Sequence, residues 1–171
     1  MKKFVFLLLM LSAMLVSCRE NDAKEWQLFY NYTLEDIMGT YSYSNVSDAF
    51  DGLTENDYCH ICEDAEVSVL SHLGSASSID FNVISQRAVF NRSFTGQPIT
   101  DDDSFLVKMT LPSTSLYPHH ELTAYVYKND KGDVRLHGFA RRIFYETIYE
   151  NGQAITKIKY TIAYYFDVIK N

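Results

Sequence analysis

Cys59-His60-Ile61-Cys62 is the segment whose residue types and spacing could most directly do chemistry. Two thiols with two residues between them can cycle between dithiol and disulfide, and a helix N-terminus under the first would make it the attacking thiolate. That chemistry needs a βαβ neighbourhood, and none is legible around the pair. Haem attachment is excluded, because Glu63 and not His follows Cys62. His119 and His120 are adjacent. Neighbours on a strand face opposite ways, so the two rings share one ion only in a turn, which Pro118 permits; a solvent-exposed loop pair is the simpler expectation. No zinc-type spacing joins them to Glu121, Cys59 or Cys62. Asp101-Asp102-Asp103 lacks the ligand ladder and closing Glu of a calcium loop. No nucleophile elbow, P-loop or His-Glu-x-x-His helix is present. The chain is therefore expected to bind rather than catalyse, with no metal and no cofactor.

The remaining cysteine, Cys18, closes the N-terminal segment. Lys2 and Lys3 precede an apolar run from Phe4 to Val16, broken only by Ser12 and Ala13. That length is a signal-peptide core and is short for a transmembrane helix. Leu15-Val16-Ser17-Cys18 resembles the lipobox of bacterial lipoproteins. The resemblance implies cleavage before Cys18 and acylation of its thiol and amine, palmitate being a typical chain. Several acyl chains hold a soluble domain on a bilayer where one binds only marginally. Position 19 is Arg and not Asp, so the inner-membrane retention signal of some bacteria is missing. Acidic residues just after the cysteine resemble the surface-export tag of Bacteroidetes lipoproteins. An outer-membrane, lipid-anchored location follows, on the periplasmic face or the cell surface. In that oxidising compartment Cys59 and Cys62 are the only thiols left, and a small loop disulfide between them is expected.

The chain has 15 basic and 22 acidic residues, and loss of Lys2 and Lys3 leaves 13 against 22, a net charge of −9. So acidic a chain has no electrostatic reason to hold nucleic acid. Hydrophobic content of 47% supports a packed core, and 13 Tyr and 11 Phe against one Trp favour half-buried pleated surfaces.

The elements that would position these residues read as strands. Thr33 with Asp36 three residues on predicts a capped helical turn that ends at Gly39. Residues 41–46 follow as a first strand, residues 47–64 as a loop or one helical turn, 66–73 as a second strand and 79–90 as a third. Residues 91–103 read as a polar loop. Phe105, Val107, Met109 and Leu111 share one parity, as do Leu122, Ala124 and Val126. Asn129-Asp130-Lys131-Gly132 and Asn151-Gly152 supply hairpin turns. The strand from Val134 to Ile148 shifts its apolar phase at Gly138, which predicts a bend or bulge there. Ile158, Tyr160, Ile162, Tyr164, Phe166 and Val168 share one parity opposite Lys157, Lys159, Thr161 and Asp167, the pattern of a half-buried antiparallel strand. Seven or eight strands joined by tight turns give an all-β barrel or sandwich, and closure into a barrel removes exposed edges.

A short helical turn followed by Gly39-Thr40-Tyr41 resembles the opening of lipocalins and other calycin barrels, where the aromatic is usually Trp. Tyr41 departs from that pattern. Lipocalins also set a basic residue of a late strand against this aromatic, a part open to Arg141 or Arg142. Together with the lipobox, the chain is similar to the uncharacterised lipocalin-like lipoproteins of Bacteroidetes. The resemblance implies an antiparallel up-and-down barrel of about eight strands with a short N-terminal helical turn, holding an apolar or amphipathic ligand in its mouth. The layout expected is a signal peptide over 1–17, a lipid-anchored tether over 18–33 and the barrel over 34–171.

Two functions follow. In the first the barrel binds a small hydrophobic or amphipathic ligand at the envelope, lined by Tyr41, Phe105, Val107, Met109, Ile158, Tyr160, Ile162, Tyr164 and Phe166. In the second the barrel is filled by its own side chains, an equally common outcome for eight strands. Exposed aromatics such as Tyr125, Tyr127 and Tyr145 would then meet an envelope protein partner.

Overall fold

The computed structural model describes residues 26–44, 57–98, 106–111 and 119–171. Cys18, the signal peptide and most of the expected tether lie outside the described residues, as do Phe105, Asp101-Asp102-Asp103 and Pro118.

The described chain is almost entirely strand: β1 (Gln27–Leu28), β2 (Gly39–Tyr43), β3 (Asp57–Ile61), β4 (Glu66–Ser71), β5 (Ile79–Ser85), β6 (Phe90–Gly96), β7 (Leu106–Leu111), β8 (His119–Lys128), β9 (Val134–Glu150) and β10 (Gln153–Lys170), with one helical turn, α1 (Leu34–Ile37). They form one sheet in the order β1-β8-β9-β10-β2-β4-β5-β6, with β7 also on β8 and β3 also on β10. Every ladder is antiparallel except that of β3, which runs parallel to residues 161–165 of β10. Among the described residues no ladder joins β6 to β7, so the hydrogen-bonded sheet is open there although the two strands approach one another.

Local chemistry explains the punctuation. Thr33 caps α1: its hydroxyl accepts from the Asp36 amide at 3.3 Å while the Asp36 carboxylate accepts from the Thr33 amide at 2.7 Å. Asn151 and Gly152 both have positive φ, 52° and 79°, as a two-residue hairpin of the twist-compatible type requires. At the β8–β9 turn the Asn129 side-chain oxygen accepts from the Lys131 and Asp133 amides at 3.0 and 2.9 Å.

The inner face carries the core. Leu122, Ala124 and Val126 of β8, Leu136 and Ala140 of β9, and Tyr164, Phe166 and Val168 of β10 are buried there. They meet Val67 and Val69 of β4, Ile79, Phe81 and Val83 of β5, and Phe90 and Phe94 of β6. Tyr41 joins them, and its hydroxyl donates to the Ile37 carbonyl at 2.6 Å, fastening α1 to the core.

Several sequence expectations are corrected. Residues 90–96 form β6 rather than a loop, because Phe90 and Phe94 point into the core and Arg92 occupies the inward slot between them. Part of the expected 47–64 loop is β3. Gly138 marks no bulge: β9 passes through it in unbroken register with Ala124 and Phe166. The glycine answers a close approach instead, since a Cβ there would lie 2.1 Å from the Thr123 carbonyl oxygen. The phase shift in β9 arises because residues 134–140 are buried on both faces, so no polar parity is left to read. Opposite the main core, Phe139, Ala163 and Tyr165 form a second small cluster.

The bulge lies in β10 instead. Ile158 pairs with Tyr145 and Tyr160 with Phe144, leaving Lys159 as the extra residue. Opposed residues share a face, so the bulge turns Ile158 outward with Tyr145. Ile158 is 55% exposed and does not line the interior.

Candidate functional site

The inner face of the sheet does not end with the core. On the inner side the β9–β10 ladder pairs Ala140 with Tyr164 and Arg142 with Ile162, and then Phe144 with Tyr160, where the two strands have run on past β8 and β3. Phe144 and Tyr160 stack at 4.5 Å between ring centroids, and Tyr58 of β3 meets Tyr160 edge-on at 5.9 Å. Tyr58 is 66% exposed, while Ile162 and Tyr160 are half-buried. This is an apolar shelf, contiguous with the core at one side and with solvent at the other.

Its floor is Tyr164. The ring stacks on Phe90 at 4.1 Å and on His60 at 5.4 Å, and the Arg142 guanidinium lies 5.7 Å from its centroid. Phe90 reaches it from β6 and His60 from β3, so three distant parts of the chain meet on one ring. The parallel register that sets His60 opposite Tyr164 is what turns β3 to this face.

Above the floor, three basic side chains converge. His120 is buried on β8, in the same inward series as Leu122 and Ala124. Its Nε2 accepts from Arg92 Nε at 3.2 Å and from Arg142 Nε at 3.4 Å. A ring nitrogen that accepts two guanidinium N–H groups carries no proton, so this imidazole presents a neutral acceptor to two cations. Arg92 also donates to the Asn91 carbonyl at 2.8 Å, which fixes its arm. Arg142 makes no contact with a carboxylate among the described residues.

Other sequence candidates fall elsewhere. Val107, Met109 and Phe166 are buried in the core, as is Tyr41. His119 points to the opposite side of β8 from His120, 3.3 Å from Glu121 and edge-on to Tyr145, so the pair is not an exposed loop. Arg141 lies over Phe139 and Arg142 over Tyr164, and the Tyr41 hydroxyl is taken up by the Ile37 carbonyl. Tyr127 packs on Arg135 and His137, whereas Tyr145 is 46% exposed.

The Cys59–Cys62 disulfide is not formed. Cys59 lies within the extended β3 and Cys62 one residue beyond its end, which sets them roughly 10 Å apart at strand rise, well beyond bridging distance. Their odd spacing also turns them to opposite faces: Cys59 is exposed and Cys62 is buried in the core. Burial pushes the Cys62 thiol pKa up to about 11, the reverse of what a redox nucleophile needs.

Two further features lie on the outer face. A groove of about 370 Å³ over β2, β4 and β5 is lined by Thr40, Ser42, Glu66, Ser68, Asn82 and Asn171 among others. These side chains mostly bond one another, as in Asn82 to Ser68 at 3.0 Å and Ser42 to Asn171 at 2.8 Å. A buried ion pair joins Arg135 to Asp167, Nε to Oδ1 at 2.7 Å and Nη2 to Oδ2 at 2.5 Å, with His137 Nδ1 at 3.2 Å. Burial alone would raise the Asp167 pKa, but the bonds from Arg135 and His137 outweigh it and hold the carboxyl below its usual range. Among the described residues no three His, Cys, Asp or Glu side chains converge to hold a metal ion.

Sequence reasoning placed Tyr160, Ile162 and Tyr164 on one inward parity and weighed His120 as a metal ligand and His60 within the two-cysteine motif, but it missed Arg92 and the convergence of the two histidines on this face. The period-two signal Phe90-x-Arg92-x-Phe94 was available for the first. The convergence of the other two depends on non-local pairing and left no local trace. Comparison with protein-family models, curated proteins and solved structures finds no match for this chain.

Proposed function

We propose that this protein is a lipid-anchored binding protein of the cell envelope, whose sheet closes into an up-and-down barrel and takes a small hydrophobic or amphipathic ligand at one end. The observation that carries the reading is the aromatic shelf. Tyr58, Phe144, Tyr160 and Ile162 continue the inner face beyond the packed core and leave it partly in water. A partly exposed aromatic surface beside convergent polar groups suits one face of a small amphipathic molecule. Closure of the barrel is supported by the approach of β6 to β7 and by the Arg92–His120 bond across that gap. Anchoring through Cys18 in the outer membrane rests on the Lys2-Lys3 pair, the apolar run and Leu15-Val16-Ser17-Cys18.

The second reading, a protein-interaction lipoprotein with a filled core, is favoured by the interior itself. Tyr41, Phe81, Phe90, Phe94 and Phe166 are fully buried and leave the ligand the end of the barrel rather than its depth. Tyr145, Tyr149 and Ile158 on the projecting β9–β10 hairpin would then face the partner.

Native mass spectrometry of the protein isolated from its own envelope separates the two. A reproducible small-molecule adduct that is lost on denaturation supports the binding reading. A clean apo mass on a cooperatively folded protein sinks it in favour of the second.

A further inference from the structure

We propose that the outer face of the sheet carries a second binding site, a groove over β2, β4 and β5 that takes a neutral saccharide. The site lies on the opposite face of the sheet from the aromatic shelf and does not depend on the binding reading above.

Three observations carry it. First, the register builds a trough. Thr40 of β2, Ser68 of β4 and Asn82 of β5 stand opposite one another, and Ser42, Glu66 and Ile84 form the adjacent rung. Opposed residues share a face, and the intervening Tyr41 and Val67 are turned into the core, so both rungs point outward. The small side chains of Thr40, Ser42 and Ser68 leave a groove of about 370 Å³, within the size range of small-ligand sites. Second, the hydrogen bonds inside the groove run to open ends. Ser42 Oγ donates to Asn171 Oδ1 at 2.8 Å, Asn171 Nδ2 donates to Thr40 Oγ1 at 3.2 Å, and Asn82 Nδ2 donates to Ser68 Oγ at 3.0 Å. Each relay ends on a hydroxyl, that of Thr40 or Ser68, which accepts and keeps its own proton to give. The Glu66 carboxylate and Asn82 Oδ1 have no hydrogen-bond partner among the described residues and remain as acceptors. Ser68 and Glu66 are neighbours on one face of β4, about 7 Å apart at strand rise. A sugar hydroxyl donates and accepts at once, so a ring carrying several of them meets both kinds of group across that distance. Third, Glu66 is the only charged side chain that lines the groove, which repels an anion, while one exposed carboxylate holds a free cation only weakly. Ile84, half-buried opposite Glu66, offers an apolar contact to the C–H face of a sugar ring.

The test uses the full chain, made in a bacterial host and purified in a detergent without a sugar head group. Glucose, galactose, mannose and N-acetylglucosamine are titrated separately by saturation-transfer NMR, with putrescine and inorganic phosphate as charged comparators. At least one sugar is expected to bind, and more tightly than either comparator. Glu66→Ala should weaken that sugar at least tenfold, and Ser68→Leu, which fills the trough, should abolish its signal. Leu73→Ala, on an exposed side chain outside the groove, should leave it unchanged. Absence of transfer from all four sugars at about 20 mM, where even a Kd of about 1 mM would nearly fill the site, overturns the proposal. Putrescine or phosphate bound more tightly than every sugar overturns the neutral ligand. Sugar binding that survives both groove substitutions overturns the assignment to this face. The ligand order in the unaltered chain decides the ligand class even where a variant does not fold, and none of these results bears on the barrel-end reading.

Discussion

Replacing Asp167 by Asn should cost about 3 kcal/mol of stability at neutral pH. The Arg135 side chain is 1% exposed and that of Asp167 4%, so neither charge has water as an alternative partner. Asn keeps the shape but cancels the charge, and its amide turns a donor toward a guanidinium that also donates. Removing one member of a buried pair typically costs about 3–5 kcal/mol. The lower end is expected, because Tyr127 and Trp26 lie over the guanidinium at 5.2 and 5.9 Å and soften the orphaned cation. In a urea melt with a slope of about 1.5 kcal/mol/M the midpoint should fall by about 2 M. The cost should also depend on pH. The Asp167 pKa is lowered in the folded protein, so its contribution is complete above the unfolded-state value of about 3.9 and is lost as pH falls through the folded value. Wild type and D167N should therefore converge in stability at acid pH. Other lowered carboxylates such as Asp64 and Asp80 are common to both chains and cancel in the difference. A neutral-pH loss below about 1 kcal/mol, or a gap that widens on acidification, would refute the claim that this pair is desolvated and mutually held. The double variant R135M/D167L should recover at least half of the loss, since a buried pair can be exchanged for apolar packing at small net cost.

Three further outcomes are expected. Gly138→Ala should destabilise by about 3 kcal/mol or more, measured by the same melt, because the added methyl meets backbone of β8 at 2.1 Å rather than a movable side chain. Iodoacetamide should modify Cys59 in the folded protein and reach Cys62 only in denaturant, as peptide mapping would show; a Cys59–Cys62 bridge in oxidised protein would contradict the extended β3. Radiolabelled palmitate should enter the protein in a bacterial host that acylates lipoproteins and be lost in C18S; incorporation that survives the substitution would remove the proposed anchor.

How much the sequence disclosed follows from which faces are wet. In β8, Leu122, Ala124 and Val126 alternate with half-exposed Glu121, Thr123 and Tyr125, so period two was legible. The hairpin at Asn151-Gly152 was legible because its positive φ angles demand those residue types. β9 was harder, since residues 134–140 have no solvent side and the alternation that reports a register disappears. Ile158 was misplaced because a single extra residue, Lys159, reverses parity and leaves no mark in composition. β6 reads as part of a polar loop because Gly96, Pro98 and Asp101-Asp102-Asp103 follow within the same window, while Arg92 stands at the inward position between Phe90 and Phe94. His60, Arg92, His120 and Arg142 are brought together only by pairing across the sheet, and no window along the chain contains them.

The position of β10 has a consequence for how the molecule is made. β10 carries β9 along one edge and both β2 and β3 along the other, with Tyr43 opposite Val168 and Ile61 opposite Tyr165. During synthesis the early strands emerge long before the strand they need, so β2 and β3 must wait for more than a hundred residues to follow. Loop closure over that distance makes folding slow, on the order of milliseconds to seconds after the last strand is available. A nascent chain lacking β10 has a β2–β4–β5–β6 meander whose β2 edge is still unpaired. Completion is thus delayed, and the chain is committed to its final shape only when the last strand arrives.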